Sequence, residues 1–225
     1  MRGFRPRSEA FKEIYKEDRK FHSKHIKNIL RVYYLQITYL QSQPSLSHSA
    51  KSEMSPISTP KTAMILIDPY NDFLHPNGKA YPRLAESLAD TDTIFHLQNL
   101  VTTARARKIS IYYGLHQQGL EPDVQGNGDV VVSKHWCSSS FQNTDLEYQL
   151  RQKDITHLVF GGLTANTCLE STARYAYELG YHVTMLKDAT AGFTTMAKDA
   201  ATDLIWPLFA NEVLTVEEWK KSLEK

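Results

Sequence analysis

The stretch THLVFGGLTANTCLESTARYAYELGYHVTMLKDATAG (residues 156–192) decides the fold class of this chain. It holds a β-rich run at His157–Phe160, then a helical segment, and then a second β-rich run at His182–Leu186. Thr167-Cys-Leu-Glu170 has the spacing of a capping box, which predicts where the helix begins. Gly180 suits the C-terminal stop of that helix. A strand, a helix and a strand in this order are typical of a parallel sheet.

The same alternation extends in both directions along the chain. Four further β-rich runs are predicted as strands: Ala63–Ile67, Ile109–Tyr113, Val130–Ser133 and Glu212–Leu214. Apolar residues repeat with helical period between the first two of these runs: Ile94, Leu97, Leu100, Val101 and Ala104. A second capping box, Thr144-Asp-Leu-Glu147, predicts another helix. We therefore predict an α/β fold with a mostly parallel sheet covered on both faces.

The composition separates the chain into two differently charged parts. It has 225 residues, of which 41% are hydrophobic and 23% charged, enough for a sizeable core. Residues 1–60 hold 11 basic and 5 acidic side chains, whereas residues 61–225 hold 15 basic and 20 acidic ones. We interpret 1–60 as a basic, partly helical or disordered extension that ends in a Ser/Pro-rich linker. An open alternative is that the functional polypeptide begins at Met54.

Several classes of protein do not fit this sequence. No apolar run approaches the thickness of a bilayer, and two cysteines cannot form a disulfide scaffold. The N-terminal part has neither the apolar stretch of a signal peptide nor the acid-poor composition of a transit peptide. No basic stripe or phosphate-binding glycine motif is present. We expect a cytoplasmic protein without a membrane or nucleic-acid partner.

Three chemically reactive residues follow three different predicted strands. Asp68 ends the first strand, Lys134 ends the third, and Cys168 follows the fourth. Because parallel strands present their carboxyl ends at one edge, we expect these side chains to lie near each other. Each residue alone has an ordinary explanation as a turn former, a surface charge or a packed thiol. Together they supply a carboxylate, an ammonium group and a thiol to one site.

These three groups suit hydrolysis through a cysteine nucleophile. With Thr167 as N-cap, Cys168 would be the first residue of a helix, where the helix dipole and Lys134 favour the thiolate. Asp68 could accept the thiol proton and later return it to a leaving amine. Backbone N–H groups of the Gly161–Cys168 turn could form an oxyanion hole. The pattern predicts attack on an amide or a similar acyl carbon.

Three segments of the chain resemble the isochorismatase-like cysteine hydrolase family. They are ILIDPYNDF (65–73), VVVSKHWCSSSFQNTDLEYQL (130–150) and the stretch 156–192 quoted above. The resemblance implies a three-layer α/β/α sandwich with a six-stranded sheet. By motif position it implies a catalytic triad of Asp68, Lys134 and Cys168.

The resemblance also implies the surroundings of that triad. A non-proline cis peptide is implied between Leu163 and Thr164, with the N–H groups of Thr164 and Cys168 as the oxyanion hole. Four residues are candidates to line a pocket, with ordinary packing an equal alternative for each: Asn71, Phe73, Trp136 and Phe141. Relatives commonly form dimers or tetramers, so we expect a homo-oligomer that acts on a small molecule.

The region after the second strand bears on the metal content. Nicotinamidases of this family carry a metal held by an Asp-x-His pair and a further histidine there. This chain reads YYGLHQQGLEPD, in which His116 is the one candidate ligand. A single imidazole without an acidic partner does not make a metal site, so we predict no metal and no other cofactor.

The sequence leaves three functions open. The presence of Cys168 favours hydrolysis of a C–N bond in a small amide, imide or ureido substrate. An alternative is isochorismatase-type cleavage of a vinyl ether with Asp68 as the acid. The third follows from the short segment Gln117–Asp129, where relatives make a longer excursion: a loop-truncated, non-catalytic member that acts by binding.

Overall fold

The computed structural model describes residues 61–117 and 128–224. The predicted extension with its linker, and the alternative start at Met54, lie outside the described residues. The same holds for most of the short segment Gln117–Asp129. In the described part of the chain, no helix is both long and apolar enough to cross a membrane.

Six strands form one sheet, in which every strand runs parallel to its neighbours. The strands are β1 (Thr62–Ile67), β2 (Ser110–Gly114), β3 (Val130–Val131), β4 (His157–Leu163), β5 (His182–Ala191) and β6 (Glu212–Leu214). Their spatial order is β3-β2-β1-β4-β5-β6. The predicted six-stranded, mostly parallel sheet is confirmed.

The strand bounds differ from the prediction by more than one residue in three strands. β3 stops at Val131, two residues before the predicted end at Ser133. β4 and β5 run further than predicted, because glycines in β4 and polar residues in β5 stay in the ladder although they interrupt the apolar pattern. The pairing of these two strands shifts register between Phe160 and Gly162. The longer strands carry the backbone further toward the edge that holds the candidate residues.

Among the described residues, six helices lie between strands and a seventh follows β6. They are α1 (Asn71–Leu74), α2 (Tyr81–Asp90), α3 (Thr93–Ala106), α4 (Leu146–Arg151), α5 (Glu170–Glu178), α6 (Thr195–Asp199) and α7 (Val216–Ser222). Two π-helical turns, Ala165–Leu169 and Ala200–Ile205, precede α5 and follow α6, and a 3₁₀ turn spans Trp206–Leu208. The predicted helix between the first two strands is confirmed as α3. Gly180 follows α5 with a φ of +85°, as its predicted role at the helix end requires.

Both predicted capping boxes are wrong. The hydroxyl of Thr144 accepts the N–H of Leu146, but the residue before α4 is Asp145, which makes no capping bond of its own. After β4 the helical backbone begins at Ala165, with Thr164 at the N-cap position. Thr167 therefore lies inside the π-helical turn, and Cys168 is not the first residue of a helix.

The sheet is covered on both faces, which confirms the three-layer arrangement. Side chains of β1 alternate between the two faces, and all of them are buried. One face packs against α4, the π-helical turn after β4, and α5 through Leu146, Leu150, Leu169, Ala173 and Ala176. The other packs against α3 and α7 through Leu97, Leu100, Ala104 and Trp219. Burial on both faces explains the continuous apolar run of β1.

Candidate active site

The order of the strands places the candidate site between β1 and β4. The chain leaves β1 toward β2 and β3 on one side, then returns to β4 on the other side of β1. In open parallel sheets, ligands bind beyond the carboxyl ends of the strands at such a reversal. Asp68 directly follows β1, and Cys168 lies in the π-helical turn that follows β4. The topology therefore brings the carboxylate and the thiol to the same crevice.

A close approach of two backbones holds β4 against the end of β1. Gly162 has a φ of +115°, and a Cβ atom on it would lie 2.1 Å from the carbonyl oxygen of Ile67. No side chain fits in that space, so glycine is required. Ile67 immediately precedes Asp68. The contact thus fixes the spacing between the two ends that carry the candidate residues.

The backbone after Gly162 makes an unusual turn. The Leu163–Thr164 peptide is cis, at the bond for which the resemblance implied this geometry. Leu163 is fully buried and packs against Leu84 and Leu88 of α2. Thr164 then begins the π-helical turn, in which its carbonyl oxygen accepts the N–H of Thr167 at 3.1 Å.

Asp68 is buried and held from several directions. It is 1% exposed and has a φ of 51°, a left-handed conformation that Asp adopts more readily than most residues. Its N–H donates to the Gly114 carbonyl oxygen at 2.9 Å. Its Oδ1 atom accepts the His116 N–H at 2.7 Å and lies 3.2 Å from Nε2 of His135. The carboxylate is therefore positioned by the segments that follow β2 and β3.

The Cys168 thiol is in its protonated form when no substrate is bound. Burial raises its pKa to about 12, with the negative charge of Asp68 as the next cause. A hydrogen bond with Thr167 lowers the pKa, while a hydrogen bond with Asp68 and the nearby Cys137 raise it. The prediction of a stabilised thiolate is wrong in direction, because desolvation and Asp68 outweigh the favourable contributions. A nucleophilic role thus needs a base, and Asp68 is in contact with the thiol.

Lys134 lies on the same edge as Asp68, in the segment that follows β3. Its side chain is partly exposed, and it stands between Ser133 and His135 in the chain. The N–H of Ser133 donates to Oδ1 of Asp145 at 2.6 Å, which ties this segment to the start of α4. The part of Lys134 in a triad stays a prediction.

The four pocket candidates lie in different environments. Asn71 is exposed at the start of α1, and Trp136 is 71% exposed. Phe73 is partly buried, with its ring edge-on to Tyr70 at 5.0 Å between centroids. Phe141 is buried in the core and stacks on Tyr175 at 5.7 Å, so the packing alternative applies to it.

His135 is a site residue that the sequence reasoning missed. Its backbone N–H donates to the Leu115 carbonyl oxygen, and it pairs with His116 in an isolated parallel bridge. The ring is fully buried, with Nε2 toward Asp68 and Nδ1 2.8 Å from the carbonyl oxygen of Cys137. A single histidine in SKHW matches no spacing pattern of a functional site, and the adjacent Lys134 was assigned to the site instead. The signal that could have identified it is its position, two residues after the predicted end of a strand at the site edge.

A second set of hydrogen bonds ties the segment after β3 to Cys168. The Thr172 hydroxyl of α5 donates to the Cys168 carbonyl oxygen at 2.7 Å and accepts the Ser140 N–H at 3.0 Å. The Cys168 thiol also lies 3.9 Å from the Cys137 carbonyl oxygen. The Thr172 hydroxyl therefore bridges a backbone N–H of the loop that carries His135 and the backbone carbonyl of Cys168.

His116 contributes its backbone N–H to the candidate site. Its N–H binds Asp68, and its ring is edge-on to that of His135 at 5.2 Å. Among residues 61–117 and 128–224, no group of three His, Cys, Asp or Glu side chains could hold a metal ion.

Comparisons with known proteins give the family of the chain. The family described as Isochorismatase domain matches residues 62–218. A ureidoacrylate amidohydrolase from Variovorax paradoxus is 35% identical over 133 residues, which cover 57% of this chain and 52% of that protein. The chain thus spans about half the length of this relative, and 43% of a second one from Cronobacter turicensis that is 38% identical over 101 residues.

Solved structures share the fold over most of their length. A cysteine hydrolase from Pseudomonas syringae pv. phaseolicola has a TM-score of 0.65 and 25% identity, covering 76% of this chain and 95% of that one. An N-carbamoylsarcosine amidase from Thermoplasma acidophilum has a TM-score of 0.54 and 22% identity, covering 70% and 97%. The second likeness is one of fold alone.

Proposed function

This chain belongs to the isochorismatase family, and from that premise we propose that it is a cysteine hydrolase that cleaves a C–N bond in a small amide, imide or ureido substrate. The observation that carries the proposal is the buried Asp68 carboxylate in contact with the Cys168 thiol. A protonated thiol beside a carboxylate is the arrangement that general-base activation of a nucleophile needs.

The first half of the reaction forms a thioester. Asp68 removes the thiol proton as the Cys168 sulfur attacks the acyl carbon, and the carbonyl electrons move onto oxygen. We assign the N–H groups of Thr164 and Cys168 to bind this oxyanion; their position at the start of the helical backbone after β4 supports the assignment. Lys134 supplies a positive charge to the site. Asp68 then gives its proton to the nitrogen as the C–N bond breaks.

The second half returns the enzyme to its starting state. Asp68 removes a proton from a water molecule as its oxygen attacks the thioester carbon. The C–S bond breaks as the carbonyl re-forms, and Asp68 passes the proton taken from water to the Cys168 sulfur, which leaves Asp68 ionised again. The products are a carboxylic or carbamic acid and an amine or ammonia.

The name of one relative favours the ureido class of substrate. The relative from Variovorax paradoxus is named for ureidoacrylate. This compound carries a carbonyl carbon bonded to nitrogen, which is the bond that a thiol nucleophile and an oxyanion hole suit. We extend this class, rather than the compound itself, to the present chain. The expected homo-oligomer and the cytoplasmic location belong to the same proposal.

Removing the thiol tests the proposal against its alternatives. The purified full chain is assayed on a panel of amides, imides, ureides and isochorismate, beside Cys168→Ala and Asp68→Asn. We expect wild-type turnover of a ureide or amide, and a loss of roughly 10⁴-fold or more in kcat in both variants. His96→Gln is the matched control, because His96 pairs with Asp188 and lies on α3, which packs in a different core cluster from Cys168.

Other outcomes of this assay favour the alternatives. Full activity of Cys168→Ala on isochorismate, with activity lost in Asp68→Asn, would favour vinyl ether cleavage with Asp68 as acid. Absence of turnover across the whole panel would favour a member that acts by binding.

A further inference from the structure

Both ring nitrogens of His135 face oxygen atoms. Nδ1 lies 2.8 Å from the carbonyl oxygen of Cys137, and Nε2 lies 3.2 Å from Oδ1 of Asp68. A carbonyl oxygen can only accept a hydrogen bond, so Nδ1 must carry the hydrogen. This leaves Nε2 to make the contact with the carboxylate.

A neutral ring with its hydrogen on Nδ1 would present a lone pair at Nε2 to an acceptor. The contact is favourable only if a further proton lies between Nε2 and Oδ1. His135 is 0% exposed and Asp68 is 1% exposed. A buried carboxylate is stable as an anion when it is paired and hydrogen-bonded, and a doubly protonated imidazole supplies both.

The groups around the pair are consistent with that charge. Burial and the charge of Asp68 raise the pKa of both the Tyr70 hydroxyl and the Cys168 thiol, so these two groups stay neutral at neutral pH. The other titratable groups nearby are His116, whose ring is edge-on to His135, the exposed Cys137 and the adjacent Lys134. Asp68 is thus the negative charge that faces the ring.

We propose that His135 is a positioning residue whose ring carries a proton on both nitrogens at neutral pH, and whose imidazolium keeps the Asp68 carboxylate ionised and aimed at Cys168. The proposal rests on the function proposed above. When the sulfur attacks, the thiol proton moves to Asp68, while the imidazolium keeps both of its protons. His135 therefore changes how readily Asp68 accepts a proton without accepting one itself.

The protonation state can be measured without a substrate. Ring-nitrogen NMR is recorded on the full chain with isotope-labelled histidine, and His135→Gln assigns the signal by its disappearance. At about pH 8, well above the usual histidine pKa of about 6.5, we expect both ring nitrogens of His135 to carry hydrogen. In Asp68→Asn the same ring should become neutral. A neutral His135 in the wild-type protein at this pH would overturn the proposal, whatever the enzyme hydrolyses.

Kinetics then test the positioning role. His135→Gln keeps an N–H donor and removes the charge, so Asp68 should hold its proton to higher pH. We expect kcat/KM to fall roughly 10- to 100-fold, less than the roughly 10²- to 10⁴-fold that general acid–base catalysis contributes because Asp68 itself remains, and the acidic limb of the pH profile to move to higher pH. His96→Gln removes the ring of the partly exposed His96–Asp188 pair and should leave that limb in place.

The two measurements separate the two proposals. If the His135→Gln variant is active and the acidic limb of its pH profile does not move, the positioning role is overturned. If the wild-type chain turns over no substrate, the proposed function fails, and the NMR result alone decides the charge of His135. The same spectrum decides the charge if His135→Gln does not fold, with the signal then assigned by Asp68→Asn.

Discussion

Gly162 lies so close to Ile67 that a Cβ atom on it would be 2.1 Å from the Ile67 carbonyl oxygen. The contact joins the ends of β4 and β1 immediately before Asp68 and before the cis peptide that leads to Cys168. The distance between the Asp68 carboxylate and the Cys168 thiol therefore depends on the absence of a side chain at residue 162.

Gly162→Ala should destabilise the protein strongly. The added methyl group meets backbone atoms that cannot rotate away, and a φ of +115° is unfavourable for alanine. We expect a loss of about 3 kcal/mol in the free energy of unfolding, measured by urea denaturation. Gly180→Ala is the control, because Gly180 has a φ of +85° but nothing within 4 Å of an added Cβ. Its cost should be about 1 kcal/mol. Equal losses in the two variants would contradict the account.

The two cysteines should differ in their reaction with iodoacetamide. Cys137 is exposed, whereas burial and Asp68 raise the pKa of Cys168 to about 12. At neutral pH we expect Cys137 to be alkylated first, as followed by peptide mass spectrometry, with Cys168 reacting faster as the pH rises. Asp68→Asn removes a charge that raises the Cys168 pKa, so it should speed alkylation of Cys168. A slower reaction in that variant would show that Asp68 favours the thiolate.

Thr172 should matter to stability through its hydroxyl. It links the Ser140 N–H to the Cys168 carbonyl oxygen, and the side chain is buried. Thr172→Val leaves the Ser140 N–H without this acceptor, which should cost about 1 to 3 kcal/mol in the free energy of unfolding. Thr172→Ser keeps the hydroxyl and should cost less. Thermal unfolding of both variants measures the difference, and a valine variant as stable as the serine variant would contradict the link.

The protein should lose stability in mild acid because of His157. Burial and the neighbouring His182, whose ring stacks on it at 4.7 Å, lower the pKa of His157. The folded state therefore favours the neutral ring, so its contribution to stability is complete above the unfolded-state pKa of about 6.5 and falls as the pH drops below that value. His157→Gln should reduce this fall in the urea midpoint. Parallel pH curves for wild type and His157→Gln would contradict the assignment.

The sheet could be predicted from the sequence because its signals are local. Each strand contains a short apolar run, and β6 has the predicted bounds of Glu212–Leu214. The helix start before Cys168 could not be predicted in the same way. Thr167 has the spacing of a capping residue, but the close contact at Gly162 and the turn at Thr164 begin helical backbone earlier, in a π-helical turn.

The candidate site was predicted in its residue types but not in its electrostatics. Asp68 and Cys168 follow strands that are neighbours in the sheet, so the sequence could predict that the two side chains lie close together. The raised pKa of Cys168 depends on burial and on the distance to Asp68, and neither quantity can be read from a sequence motif. The contact of His135 with Asp68 depends on the pairing of the segments after β2 and β3.

Mass spectrometry of the acylated enzyme tests the central claim most directly. The wild-type chain is mixed with the best substrate of the panel, quenched in acid within the first turnovers and digested for peptide mapping. We predict an acyl adduct on the peptide that contains Cys168, which forms and decays with turnover and does not form in Cys168→Ala. Sustained turnover of an amide or ureide by Cys168→Ala, with no adduct on the wild-type peptide, would contradict a cysteine nucleophile.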